Sequence, residues 1–352
     1  MTPRLAEGLL PLGEIGRGLQ GAPMTFIDLL DASGQYDAEF DSADFTGLSN
    51  HLPMALAALK RLGADDARLA EFATRYSRRL RPAPAAAEWP AGDPWRARLG
   101  QPGAWPAYRH LFLHWLVSES ADAVLQQTMP TLMAGCGGAA FHGLIRTAYA
   151  VQSGHGQELA DALAYWACRW LDLGAPPPSS GTGTRADPAP LLKALARPRP
   201  AGELIVDRMI VAARQPDFDA ATAGLRIDDR TLPRLARLSA RLYARSGDFT
   251  ALHLVTSAQA MTVLLPFVDD AVPAVAAYWR ACAAGFVASG AVPGRAPAAR
   301  PWAELMTIAR ASDDDHLIKL VDACRQAQVI AGGADDWQRA ATRATTGAFN
   351  NA

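Results

Sequence analysis

Seven histidines and three lysines carry much of the chemistry open to this chain. Four of the histidines stand in separate apolar helical patterns. His51 precedes Leu52-Pro53-Met54-Ala55, where Ser49 or Asn50 could cap a helix and Pro53 suits its first turn. His142 shares a helical face with Ile145, Arg146 and Tyr149. His253 lies in a segment apolar nearly all round, where Ser257 and Ala260 leave room beside its ring. His316 borders the stripe Leu317, Leu320, Val321 and Cys324. Neutral imidazole is the commonest side-chain metal ligand and suits Fe, Zn, Cu and Ni. Each of these residues taken singly also fits a hydrogen-bonded core histidine; four on separate helices could converge on one metal.

The lysines add a second signal. Of 34 basic residues only Lys60, Lys193 and Lys319 are lysines, and an amine, unlike a guanidinium, can lose its proton and react. Lys319 stands three residues after His316 in a helix opened by Asp313, Asp314 and Asp315, which favour a helix N-terminus. Its phase, however, turns Lys319 towards the polar side, with Asp315 at i−4 and Asp322 at i+3, as in an exposed ion pair of small value.

The other candidate motifs are weaker. His110 and His114 have i, i+4 spacing but lack the glutamate of HExxH, so they read as two histidines on a partly exposed helix face. His155, between Gly154 and Gly156, reads as a loop residue. Gly16, Gly18 and Gly21 match G-x-G-x-x-G, with Glu39 near the expected distance, yet no strand precedes them and no βαβ unit follows. The run Gly135-Cys136-Gly137-Gly138 lacks the Lys-Ser/Thr ending of a phosphate loop and reads as a flexible or closely packed lead-in to a helix. There is no G-x-S-x-G element.

The elements that must position these residues are helices. Periodicity predicts them over 52–62, 66–80, 108–116, 141–151, 158–171, 204–213, 232–244, 250–265, 271–288, 302–311 and 316–328. Ala, Leu and Arg abound, and no alternating β-branched strand stands out. Gly and Pro gather between the helices, above all near 174–190, which we read as a surface loop inside one domain spanning 1–352 because candidate site residues fall on both sides of it. The expected fold is all-α, a single multi-helix domain around a buried metal or substrate cavity.

With 352 residues, half of them hydrophobic, the chain can bury a large core. Its net charge of −1 gives no electrostatic reason to bind nucleic acid or an acidic membrane. Four dispersed cysteines point to a reducing compartment rather than a disulfide framework. Neither a signal peptide nor an uninterrupted apolar run of about 18 residues is evident. The expected partner is a small molecule and the expected location cytoplasmic.

Several segments, in order, resemble the questin oxidase-like family: 49–59 with Leu62-Gly63, 140–149, 158–166, 249–256 and 316–320. The family includes fungal enzymes that open anthraquinone rings, described both as Baeyer–Villiger-type oxidases and as non-haem iron dioxygenases. In a characterised relative the iron is held by four histidines and a carboxylated lysine. The resemblance therefore implies an Fe(II)-dependent mono- or dioxygenase with O2 as co-substrate and a small aromatic substrate. Its implied ligands are His51, His142, His253, His316 and Lys319, the last as a CO2-derived carbamate. Arg146 could meet a substrate oxygen, and Tyr149 could stack on an aromatic ring. An NADPH requirement and the oligomeric state stay open. Two other readings compete: a zinc hydrolase on the same histidines, and a non-catalytic helical binding protein.

Overall fold

The computed structural model describes residues 24–174, 182–331 and 335–346. The G-x-G-x-x-G match and the middle of the Pro/Gly loop lie outside them. Among the described residues the chain is all-α, and its only sheet is a two-stranded one, Glu39–Phe40 (β1) against Leu48–Ser49 (β2). The first half runs through α1 (Phe26–Ser33), α2 (Leu52–Arg61), α3 (Asp66–Tyr76), α4 (Trp105–Ser118), α5 (Ala121–Ala134), α6 (His142–Ser153) and α7 (Gly156–Cys168). Beyond the loop follow α8 (Ala189–Leu195), α9 (Ile205–Ala213), α10 (Phe218–Ala223), α11 (Thr231–Ser246) and α12 (Phe249–Leu264). The last four are α13 (Ala271–Ser289), α14 (Trp302–Ala311), α15 (Asp315–Ala331) and α16 (Asp336–Thr346).

Local chemistry starts these helices where they start. Thr25 and Asp28 form a capping box on α1, and Asp65, Ser120, Asp248 and Asp270 cap α3, α5, α12 and α13 through their side chains. Left-handed glycines close α6, α11 and α13 at Gly154, Gly247 and Gly290.

Burial then decides the layout. Helix α12 is apolar on every side and packs against α6, α11, α13 and α15. By length and composition alone, Phe249–Phe267 and Ala271–Ser289 could each cross a bilayer; 72% of each apolar stretch is buried inside the fold, as for central core helices.

Helices α2, α6, α12 and α15 run in the same direction. His51 and His316 meet at the starts of α2 and α15, while Arg61 and Asp322 pair farther along both. His142 and His253 meet at the starts of α6 and α12, and Tyr149, Gln259 and Gln326 line one small cavity about two turns beyond. Parallel neighbours require long crossovers, and the intervening helices supply them.

The entry to α6 is strained. Ala139, Ala140 and Phe141 all have positive φ (46°, 53° and 71°), a region that costs non-glycine residues about 1–2 kcal/mol each. Close packing dictates this path: a Cβ on Gly138 would lie 1.9 Å from the Arg169 carbonyl oxygen. The glycine-rich lead-in is thus closely packed, and backbone strain is stored one residue before His142.

Candidate metal centre

All four histidines occupy the opening turns of the parallel helices. His51 is the N-cap of α2, His142 the first residue of α6, His253 the fifth of α12 and His316 the second of α15. Their rings cluster. His51 stacks on His142 at 4.7 Å between centroids and meets His316 edge-on at 4.8 Å. His253 is 4.9 Å from His142 and 5.7 Å from His316. One nitrogen from each of His51, His142 and His316 lies within 4.8 Å of the others. Phe249 covers one side, its ring 4.9 Å from His253 and 4.7 Å from His316.

The Nδ1 atoms face partners outside the cluster. His51 Nδ1 is 2.7 Å from Asp315 Oδ1, His253 Nδ1 donates to the Phe249 carbonyl at 2.8 Å, and His142 Nδ1 donates to the Ala139 carbonyl on the strained turn. The Nε2 atoms of His51 and His142 are buried with no hydrogen-bond partner. A buried, unpaired imidazole nitrogen is costly, and Nδ1 anchoring with Nε2 left open is how metal-binding histidines are held.

Burial keeps these rings neutral. It pushes His51 down to about 3, aided by the nearby Lys319 charge. His142 and His253 are likewise well below the usual imidazole range, from burial first and then from neighbouring histidines. Neutral imidazoles are the form that binds a metal. This donor set fits a divalent transition metal.

Lys319 departs from the surface position that helical phase predicts. It is 3% exposed, because α2 and α12 both pack on α15 and its polar side faces the bundle interior. Nζ lies 3.7 Å from Asp315 Oδ1, too far for a tight ion pair. Burial lowers its amine to about 8, against the opposing pull of Asp315 and Asp314.

The three consecutive aspartates do different work. Asp313 reaches Arg68 and Arg75 at the surface. Asp314 caps α15 by accepting the backbone N–H groups of His316 and Leu317. Asp315 is buried beside His51, His316 and Lys319. Sequence reading missed that last role because all three residues fit an acidic cap. The discriminating signal was present, since one cap needs one such side chain.

Arg146 and Tyr149 are drawn into neighbouring networks. Arg146 is buried and grips Glu158 through Nε (2.7 Å) and Nη2 (2.8 Å), leaving Nη1 without a partner. The Tyr149 hydroxyl donates to Asp322 at 3.0 Å, under the Arg61 guanidinium. Of the remaining histidines, His110 and His114 touch each other on α4, and His155 caps α7, its Nδ1 accepting from the Glu158 N–H.

Two cavities lie apart from the rings. The small one lined by Tyr149, Thr256, Gln259 and Gln326 sits farther along the bundle, and one of about 400 Å³ lies among Leu232, Val255, Ala258 and Trp337. Val255 and Ala258 are on the side of α12 turned away from His253. None of the four histidines lines either cavity.

A family model described as questin oxidase-like matches residues 48–324, which include all four histidines and Lys319. No curated protein matches the chain.

Proposed function

The chain belongs to the questin oxidase-like family, which makes it an oxidoreductase of the oxygenase type, and on that premise we propose a non-haem iron oxygenase acting on an aromatic polyketide-like ring, a quinone or hydroquinone. The observation carrying this reading is the pair of buried, unpartnered Nε2 atoms on His51 and His142 inside a cluster of four rings. In the proposal His51, His142, His253 and His316 would hold Fe(II), which would supply the redox chemistry for O2 to react with an electron-rich ring.

The chain's own groups set the conditions. Nδ1 contacts fix the imidazole planes of His51, His142 and His253, and Phe249 shields one flank from water. The starts of α2, α6 and α15 bring positive dipole ends towards the centre, so a cation there needs anionic company. Lys319 would supply it as a carbamate: the amine lone pair attacks CO2, a C–N bond forms as one C=O π bond opens onto oxygen, and the N–H proton is released to water. Burial, which favours the neutral amine, supports that step. A substrate oxygen would meet Arg146 through Nη1, since Glu158 occupies its other two donors. For a substrate ring Tyr149 has only the face turned away from Arg61, since the guanidinium covers the other face and Asp322 engages the hydroxyl.

O2 uptake tests the reading. Protein loaded anaerobically with Fe(II) is mixed with a panel of hydroxyanthraquinones and their hydroquinones in aerated buffer. We expect substrate-dependent O2 consumption with Fe(II), none with Zn(II), and none in His142→Ala. No uptake on any ring, or ester hydrolysis that requires Zn(II), would overturn it.

A further inference from the structure

We propose that Asp315 is a positioning residue for the metal centre, its carboxylate accepting the Nδ1 proton of His51 so that the Nε2 atom is presented as a donor. The inference rests on the reading of the four histidines as a metal site. A buried carboxylate is costly unless its oxygens are satisfied, and Asp315 is 5% exposed. Capping does not account for it, since Asp314 performs that function.

Distances rank its partners. Oδ1 lies 2.7 Å from His51 Nδ1 and 3.0 Å from His316 Nδ1, against 3.7 Å from Lys319 Nζ. Oδ2 is 3.9 Å from the Arg79 guanidinium. The two imidazoles make the short contacts, and the two cations stand beyond hydrogen-bond length.

This contact decides the His51 tautomer. With the proton on Nε2, a buried N–H would have no acceptor, and an Nδ1 lone pair would face a carboxylate oxygen at 2.7 Å. With the proton on Nδ1 the contact is a charge-assisted hydrogen bond, and the lone pair on Nε2 points into the ring cluster. The same Oδ1 lies 3.0 Å from His316 Nδ1, so one carboxylate touches imidazoles from both α2 and α15. It also places negative charge next to the rings without occupying a coordination position.

The test uses the full chain, with Co(II) as the spectroscopic probe. In the metal-free wild type, long-range ¹H–¹⁵N NMR is expected to show His51 as the Nδ1–H tautomer. In Asp315→Ala that assignment is lost and Co(II) affinity falls about 10- to 100-fold, as for other carboxylates behind a ligating histidine. Asp315→Asn, the variant least disruptive to packing, keeps an acceptor oxygen but not the charge, and is expected to fall between wild type and Asp315→Ala. Wild-type affinity and an unchanged His51 tautomer in both variants would overturn the proposal. If instead wild type binds no Co(II), the metal-centre reading fails, and the tautomer measurement still decides whether Asp315 orients His51.

Discussion

Among single residues, Lys319 is the most sharply placed. It is buried in a chain that otherwise favours arginine, with its amine lowered to about 8. If its role is to become an anionic oxygen donor, arginine cannot replace it. Lys319→Arg and Lys319→Met are therefore both expected to lose Fe(II) affinity by at least about tenfold, the scale of a lost supporting group at a metal site. Stripping bicarbonate and CO2 should weaken iron binding in wild type and leave Lys319→Met unchanged; wild-type affinity that ignores CO2 would refute the carbamate. At this scale much was legible in the sequence. His51, His142, His253 and His316 were singled out by apolar helical context, and the structure brings them together. The placement of Lys319 was not legible, because phase along one helix says which residues share a side and not which neighbours cover that side. Asp315 was missed for a related reason: the difference between a cap and a buried acceptor lies in contacts with α2, more than 250 residues away in the chain.

Among the helices, the closest constraint on the site is the approach of α6 to α7. Gly143 sits directly after His142, and a Cβ there would lie 2.7 Å from the Trp166 Cα, a backbone atom that cannot swing aside. Gly143→Ala must push α6 away from α7 and shift His142 with it. Overpacking of this kind costs about 1–3 kcal/mol, so urea unfolding should show that loss, and Co(II) affinity should fall in the same variant. Unchanged stability would mean that the two helices tolerate separation. Most of the helix inventory could be read from periodicity, including α14, whose observed bounds match those predicted, 302–311. The helices that escaped have physical reasons for doing so. α5 carries Pro130 in its interior, α1, α8 and α10 are only 8, 7 and 6 residues long, and α16 is a polar sequence in which Trp337 is the one large buried side chain. The strained run Ala139–Phe141 could not be foreseen, since nothing in Ala-Ala-Phe favours positive φ and packing alone enforces it. The parallel alignment of α2, α6, α12 and α15 arises from long-range packing that one-dimensional patterning does not encode.

For the whole molecule, the polar interior makes stability depend on pH in a predictable direction. Burial raises Asp161 to about 6 despite Arg109 and Arg146 nearby. A folded-state value above the ordinary 3.8 means that, between roughly pH 4 and 6, the folded chain binds more protons than the unfolded one. Stability from this group is thus present below pH 4, is lost as pH rises through that window, and stays lost above it. The shift corresponds to about 3 kcal/mol. The difference in unfolding free energy between wild type and Asp161→Asn should therefore change by that order between pH 4 and 7; a constant difference would contradict it. A bound metal should also stabilise the fold, by about 2.7 kcal/mol at a hundredfold excess over its dissociation constant, read as a rise in Tm. The central claim, that the four histidines form one iron site, is tested most directly by anaerobic Fe(II) titration of wild type beside His142→Ala and His253→Ala. One Fe(II) per wild-type chain is expected, with at least a hundredfold weaker binding in each folded variant. Wild-type affinity in those variants, or no stoichiometric iron in the wild type, would contradict it.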